Sequence, residues 1–385
     1  MRPNLFALLV RSVVWMLGIG VLVLLLATGQ TTRLDNTLYD WHLRHWSYTP
    51  GDDVVIVAID PQSLAKLGRW PWPRAVHAQL VDRLTAAGVR GIGFDVTIAE
   101  ADADHPFNDQ LLAQAIKRNG HVVVPMFAEQ TELGAPLEEI LPVPGIMQAA
   151  AALGQVEVAR DNDGLVRGAY LKAGLGRPYW PLLALAVYQL DKPQPDADLP
   201  GLRNTDANTT SPYLWLRDHY VLLRYAGPGG SFGRVSYADV LNGTVPPQLL
   251  KHRWVLIGAT AEGLGDTIPT PATRGSEPMP GVEYQANVLE SLQHGITMTP
   301  FNLTAQFLLD AIVLALPLLL YGLPGFRRLL PLAMVSLLLP LLLSVLLLRA
   351  GSLWWPPAGC LLVIGAGLAL WSLFVWQRRR TQPIP

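Results

Sequence analysis

The chain has 385 residues, half of them hydrophobic and only 15% charged, with 29 Lys and Arg against 30 Asp and Glu for a net charge of −1. Its mean hydropathy of +0.28 is a value that soluble globular proteins seldom reach, so part of the chain belongs in lipid. The even charge balance argues against a nucleic-acid partner, which needs a basic footprint. The single cysteine, Cys360, excludes a disulfide framework or a cysteine metal site within one chain.

Residues 5–28 are almost wholly apolar apart from Arg11 and Ser12, and Ser12 to Thr28 approaches the length that crosses a bilayer. Read as a retained anchor, this segment has Arg2 and Arg11 before it, which places the amino terminus in the cytoplasm. A cleaved signal peptide, with Ala27 and Gly29 at peptidase spacing, is the alternative. Next, TTRLDNTLYDWHLRHWSY (Thr31 to Tyr48) puts Leu34, Leu38, Trp41 and His45 on one face, predicting a juxtamembrane helix continuous with the first span.

The run VVIVAI, from Val54, is bounded by Asp52-Asp53 and Asp60-Pro61 and reads as a central strand covered on both faces. GVRGIGFDV, ending at Val96, is its expected partner, with a helix over Ala75 to Ala87 between them. Strand, helix and strand make a βαβ unit and hence a parallel sheet with helices on its faces. Asp60 and Asp95 then leave the carboxyl ends of neighbouring strands, the edge where open α/β sheets bind ligands.

A helix over Asn108 to Arg118 and a buried strand within IKRNGHVVVPMF continue the pattern. LGQVEVARDNDGLVRGAYLKAG alternates as a hairpin turning at Asp161-Asn162-Asp163-Gly164. After a helix PLLALAVYQL and a surface loop from Asp191 to Ser211, a strand is expected over Tyr220 to Gly227. The tight loop GPGGSFG leads to a short helix SYADVLNG ended by Gly243, a buried strand over Arg253 to Ala261 and a helix from Pro280 to Gly295. The fold class is a mixed α/β domain with a largely parallel sheet, plus four α-helical transmembrane spans.

Three apolar runs close the chain: Thr304 to Tyr321, Leu329 to Leu348 and Ala358 to Trp376. With four spans, Arg327-Arg328 and Arg378 to Arg380 share the cytoplasmic side with Arg2 and Arg11, so the domain lies outside and both termini inside. Asp310, inside the first run, marks either a functional acid or one that reaches the interface. The expected organisation is an anchor over 1–30, an external domain over 31–300, three membrane helices over 301–378 and a cytoplasmic tail over 379–385.

The candidate ligand site gathers Asp60, the turn bearing Arg69, Trp70, Trp72 and Arg74, then Asp95, Thr260 and Asp266. Stiff prolines, flat indoles and fixed guanidinium charge suit a small ligand with an anionic or aromatic part. The alternative is that Arg69 or Arg74 pairs with Asp60 or Asp95 to seal a core while the tryptophans pack. The glycine-rich loop after Ile257, with Thr260 and Asp266, offers backbone N–H groups to an anion but lacks the lysine of a phosphate-binding loop. No catalytic signature occurs, so no catalytic residue, metal or cofactor is expected; Asp60 and Asp95, with Asp102 and Asp104, are a weak case for acid–base chemistry or a hard cation.

The blocks IVAIDPQSLAKLGRWPWPR, GIGFDV, RYAGPGGSFGRVSYADVLNG, VLIGATAEGLGDTIPTP and MPGVEYQANVLESL together resemble the extracellular type-2 CHASE domain of bacterial sensors. The resemblance extends to one span before the domain and three after it. It implies a sensor in the bacterial inner membrane with a periplasmic domain, a homodimer, and a small ligand or periplasmic protein as signal. Cyclase or kinase output would lie in a module outside this chain, fused in a longer protein or supplied by a partner, since only QRRRTQPIP follows Trp376. A membrane scaffold with a non-sensing external domain is the other reading.

Overall fold

The computed structural model describes residues 3–130, 135–204, 211–264, 267–273, 278–320 and 326–381. Two units partition the chain: Met1–His42 with Thr299–Pro385, and Leu43–Met298. In the first unit α1 (Pro3–Thr28) stops where Gly29 turns left-handed at φ 64°, and α2 (Thr32–Arg44) starts afresh. The juxtamembrane helix is therefore not continuous with α1. Leu34 and Trp41 of α2 are exposed, whereas Asp35, Tyr39 and His42 are buried. Partners account for the buried side: Asp35 Oδ1 accepts the Ala358 amide at 2.8 Å and Tyr39 packs edge-on to Trp354 at 5.0 Å. A buried carboxylate is tolerable only when such donors meet it.

The second unit begins with β1 (Val54–Ile59), buried along its whole length, then α3 (Pro61–Leu67) and α4 (Arg74–Ala87). Next come β2 (Gly91–Asp95), α5 (Pro106–Asn119), β3 (Val122–Gln130), β4 (Leu137–Ile140), α6 (Pro144–Ala149) and β5 (Ala152–Gln155). β6 (Gly168–Leu175), β7 (Trp180–Pro181), α7 (Leu183–Gln189) and β8 (Trp215–Leu222) follow. The unit closes with β9 (Arg234–Ser236), α8 (Tyr237–Leu241), β10 (Trp254–Ala259) and α9 (Gly281–His294).

Six of these strands form a parallel sheet in the order β5-β3-β2-β10-β1-β9, and β4 adds antiparallel to the far half of β3. β1 and β2 are thus not neighbours, because β10 inserts between them and places Gly258 opposite both Ala58 and Asp95. Local pattern identifies a strand but not a later one that pairs between two earlier ones. One sheet face carries Val55, Val57, Ile59, Ile92 and Phe94 against Leu80, Leu84, Leu112 and Ile116 of α4 and α5. On the other face glycines admit the helices. A Cβ at Gly258 would lie 2.6 Å from Val282 of α9, and one at Gly93 would lie 2.9 Å from Val187 of α7.

The expected hairpin around residues 161–164 is absent as a pair. The turn itself forms, with Gly164 N donating to Asp161 O at 2.8 Å, but β5 joins the parallel sheet while β6 pairs antiparallel with β7 and β8. The buried Arg167 grips Asp161 and Asp163 at 2.6 and 2.7 Å and fixes the turn from inside. β8 also begins at Trp215 rather than near Tyr220. Its buried Asp218 is tolerated because Arg203 pairs with it at 3.0 Å and the Asn204 amide donates to it at 2.7 Å.

The first unit continues with α10 (Leu303–Leu320), α11 (Phe326–Gly351) and α12 (Ala358–Thr381). Two helices rather than the expected four carry an 18-residue window apolar enough to cross a membrane among the described residues, Arg11–Thr28 and Met334–Gly351. Leu303–Ala315 and Ala358–Leu373 are shorter apolar helices. Asp310 is fully buried, its Oδ1 accepting from Trp355 Nε1 at 2.9 Å and Cys360 Sγ at 3.3 Å.

Candidate functional site

β1 ends at Ile59, and Asp60 caps the helix that follows. Its Oδ1 accepts Ser63 N at 2.8 Å, Ser63 Oγ at 2.6 Å and Ser236 Oγ at 3.0 Å. Asp at an N-cap followed by Pro at the first helical position is the local reason the chain turns here. Ser63 is fully buried and its Oγ also accepts the Ala238 amide at 3.1 Å, tying the start of α3 to the start of α8. Ser236 itself comes from β9, which runs beside β1 with Ser236 opposite Ala58.

These groups form one wall of an open cavity of about 520 Å³ at the carboxyl ends of β1, β9 and β10. Thr260, just past β10, lines it, with Gln62, Arg234, Asp239 and Thr244. The volume suits a small molecule. The charges on the wall are already matched: Lys66 Nζ donates to Asp239 at 2.7 Å, and Gln62 Nε2 reaches both its oxygens at 2.9 Å. The Lys66 ammonium holds the Asp239 carboxyl below the usual carboxylate range. Arg234 donates to Glu283 of α9 at 2.5 Å.

Glu283 is fully buried and its carboxylate also accepts the amides of Gly230 and Ser231 at 2.9 and 2.8 Å. The GPGGSFG loop is therefore an anion cradle filled by the protein's own carboxylate. Left-handed Gly230, at φ 94°, lets consecutive amides converge on that group.

The tryptophan turn is not part of this wall. Trp72 is 3% exposed; its Nε1 donates to Gly68 O at 3.1 Å and its ring lies 4.8 Å from Tyr237. Trp70 meets Trp72 edge-on at 5.0 Å. Beneath them His77 Nδ1 and the Tyr237 hydroxyl are 2.8 Å apart, and burial, helped by the nearby Arg74 charge, pushes the imidazole down to about 4. Arg74 faces Asp109 at 3.8 Å and donates to Glu100 O at 3.4 Å, so its partner is neither Asp60 nor Asp95. Arg69 is exposed and makes no ion pair among the described residues.

Of the expected site residues, the structure brings together Asp60 and Thr260. Arg69, Trp70, Trp72 and Arg74 belong elsewhere, Asp95 stands beyond β10, and Asp266 lies outside the described residues. β10 separates Asp60 from Asp95 by two strand spacings, about 10 Å, too far for a shared proton. Asp102 is held instead by Asn108 at 3.1 Å and the His105 amide at 2.9 Å. Ser63, Arg234, Ser236 and Asp239 were missed. Arg234, Ser236 and Asp239 all fall in the block GRVSYADVLNG, a short strand running into a short helix, which places them at a strand end but does not say what they face; Ser63 carried no signal of its own.

The CHASE2 domain family matches residues 16–323. The chain belongs to the CHASE2-domain family. CHASE2 is an extracellular sensory domain, and this match runs through β1, the tryptophan turn, the Ser236 cavity and on into α10. No curated protein and no solved structure matches the CHASE2 chain.

Proposed function

We propose that this chain is a membrane-bound receptor whose α/β domain, outside the cytoplasmic membrane, detects a small polar ligand or a periplasmic protein. In this reading all four apolar helices cross the bacterial inner membrane, both termini are cytoplasmic and the chain works as a homodimer. The signal passes to a cyclase or kinase module, fused in a longer protein or supplied by a partner. The chain itself performs no chemistry.

The cavity at the carboxyl ends of β1, β9 and β10, inside the family-matched region, is the observation that carries this reading. It lies at the carboxyl ends of neighbouring parallel strands, the edge at which open α/β sheets bind ligands. Its carboxylates and guanidinium are matched internally, and the Ser236 and Thr244 hydroxyls already donate to Asp60 Oδ1 and Asp239 O at 3.0 Å, so what it offers a guest is the Thr260 hydroxyl, hydroxyl oxygens as acceptors and backbone. That favours a neutral, hydroxyl- or amide-rich ligand. Signalling then requires that the ligand bind two conformations with different affinity.

A thermal-shift screen of the full chain in lipid nanodiscs against sugars, polyols and amino-acid amides tests it. A hit raises Tm in the parent, and Ser236→Trp, which fills the cavity, abolishes the shift while remaining folded. Silence across the panel, or a hit untouched by Ser236→Trp, rejects this cavity as the sensor and favours a scaffold.

A further inference from the structure

At the opposite end of the same carboxyl edge, past β2, β3 and β5, lies a second cavity of about 490 Å³. Its body is apolar, formed by Phe127, Leu137, Val156, Val158 and Trp215. Two polar side chains in the wall are committed to each other. Glu157 takes Trp215 Nε1 on Oε2 at 2.8 Å and Arg217 Nε on Oε1 at 2.8 Å, and the Arg217 guanidinium also stands 5.8 Å over the Tyr170 ring. This pairing leaves the wall neutral there.

Arg160 is different. It lines the cavity, is exposed at its rim, and makes no ion pair among the described residues. Glu157, Arg160 and Arg217 are the charged side chains of the lining, so one positive charge is left over at the mouth of an apolar pocket. The first cavity has the reverse economy, since its guanidinium is already spent on Glu283.

We propose that this second cavity binds a small amphipathic carboxylate, its aromatic or branched apolar body among Phe127, Val156 and Trp215 and its carboxylate on Arg160. The volume falls in the range of small-molecule sites, and a guanidinium pairs with a carboxylate through two parallel hydrogen bonds. The site goes beyond the receptor reading and does not depend on it: it stands whether or not the first cavity senses anything.

The test uses the full chain in lipid nanodiscs, with phenylacetate, indole-3-acetate and 4-methylpentanoate as probes and phenethyl alcohol as the uncharged counterpart. At least one carboxylate binds and phenethyl alcohol does not. Arg160→Ala keeps the unliganded Tm yet weakens that affinity by about tenfold to a hundredfold, the loss expected for one charge-assisted contact. Val156→Trp, which occupies the pocket, abolishes binding, while Ser236→Trp in the first cavity leaves it intact. Equal binding of the alcohol, undiminished binding in Arg160→Ala, or no binding by all three acids overturns the assignment.

Discussion

The tryptophan turn and the Ser236 cavity both follow from the end of β1, yet one is filled by the protein and the other is left open. In the turn, two indoles, an imidazole and a phenol interlock with ring separations of 4.8 to 6.5 Å. In the cavity, small hydroxyl residues from three separate segments stand around open space. Bulk and stiffness make a core, whereas short side chains held by a capping aspartate make a vessel. Large aromatic residues beside a strand end are therefore better evidence of packing than of recognition when a buried histidine sits beneath them.

Three perturbations break or sharpen this contrast. Trp72→Ala removes a buried indole and should destabilise the domain by about 4 kcal/mol, measured by denaturant unfolding; a loss near zero would return the turn to the surface. Lowering the pH comes next. His77 is held near 4 in the fold against an ordinary value of 6.5, so between those values the unfolded chain binds the extra proton and stability falls as pH drops through the window. The loss should reach on the order of 3 kcal/mol by pH 4. His77→Gln, which still meets the Tyr237 hydroxyl without titrating, should flatten that part of the profile. The smallest effect belongs to Arg69→Ala, expected within about 0.5 kcal/mol of the parent, with ligand response in the Ser236 cavity unchanged. A change in response would reinstate the turn as a recognition surface.

Much of the α/β scaffold was legible because it is written locally. VVIVAI, the helix after it, the Pro280 to Gly295 helix and the Gly243 stop each carry their own signals of branching, capping or left-handed glycine. What was not legible is pairing across distance. Nothing in GIGFDV says that residues 254–259 will insert beside it, and so Asp60 and Asp95 were expected one strand too close. The same blindness made a hairpin of β5 and β6, whose partners lie in different sheets. Asp60 and Thr260 were found because each follows a buried strand. Ser236 and Ser63 were not, since a serine announces nothing until its partner carboxylate is placed.

The grip of Arg234 on Glu283 sets a rule for what enters the first cavity. An incoming anion must displace a rival that is tethered in place and so acts at a very high effective concentration. The cavity therefore carries its own competitive inhibitor against acids. Neutral guests pass without contest, and the discrimination is enforced by a residue, Glu283, that no guest ever touches.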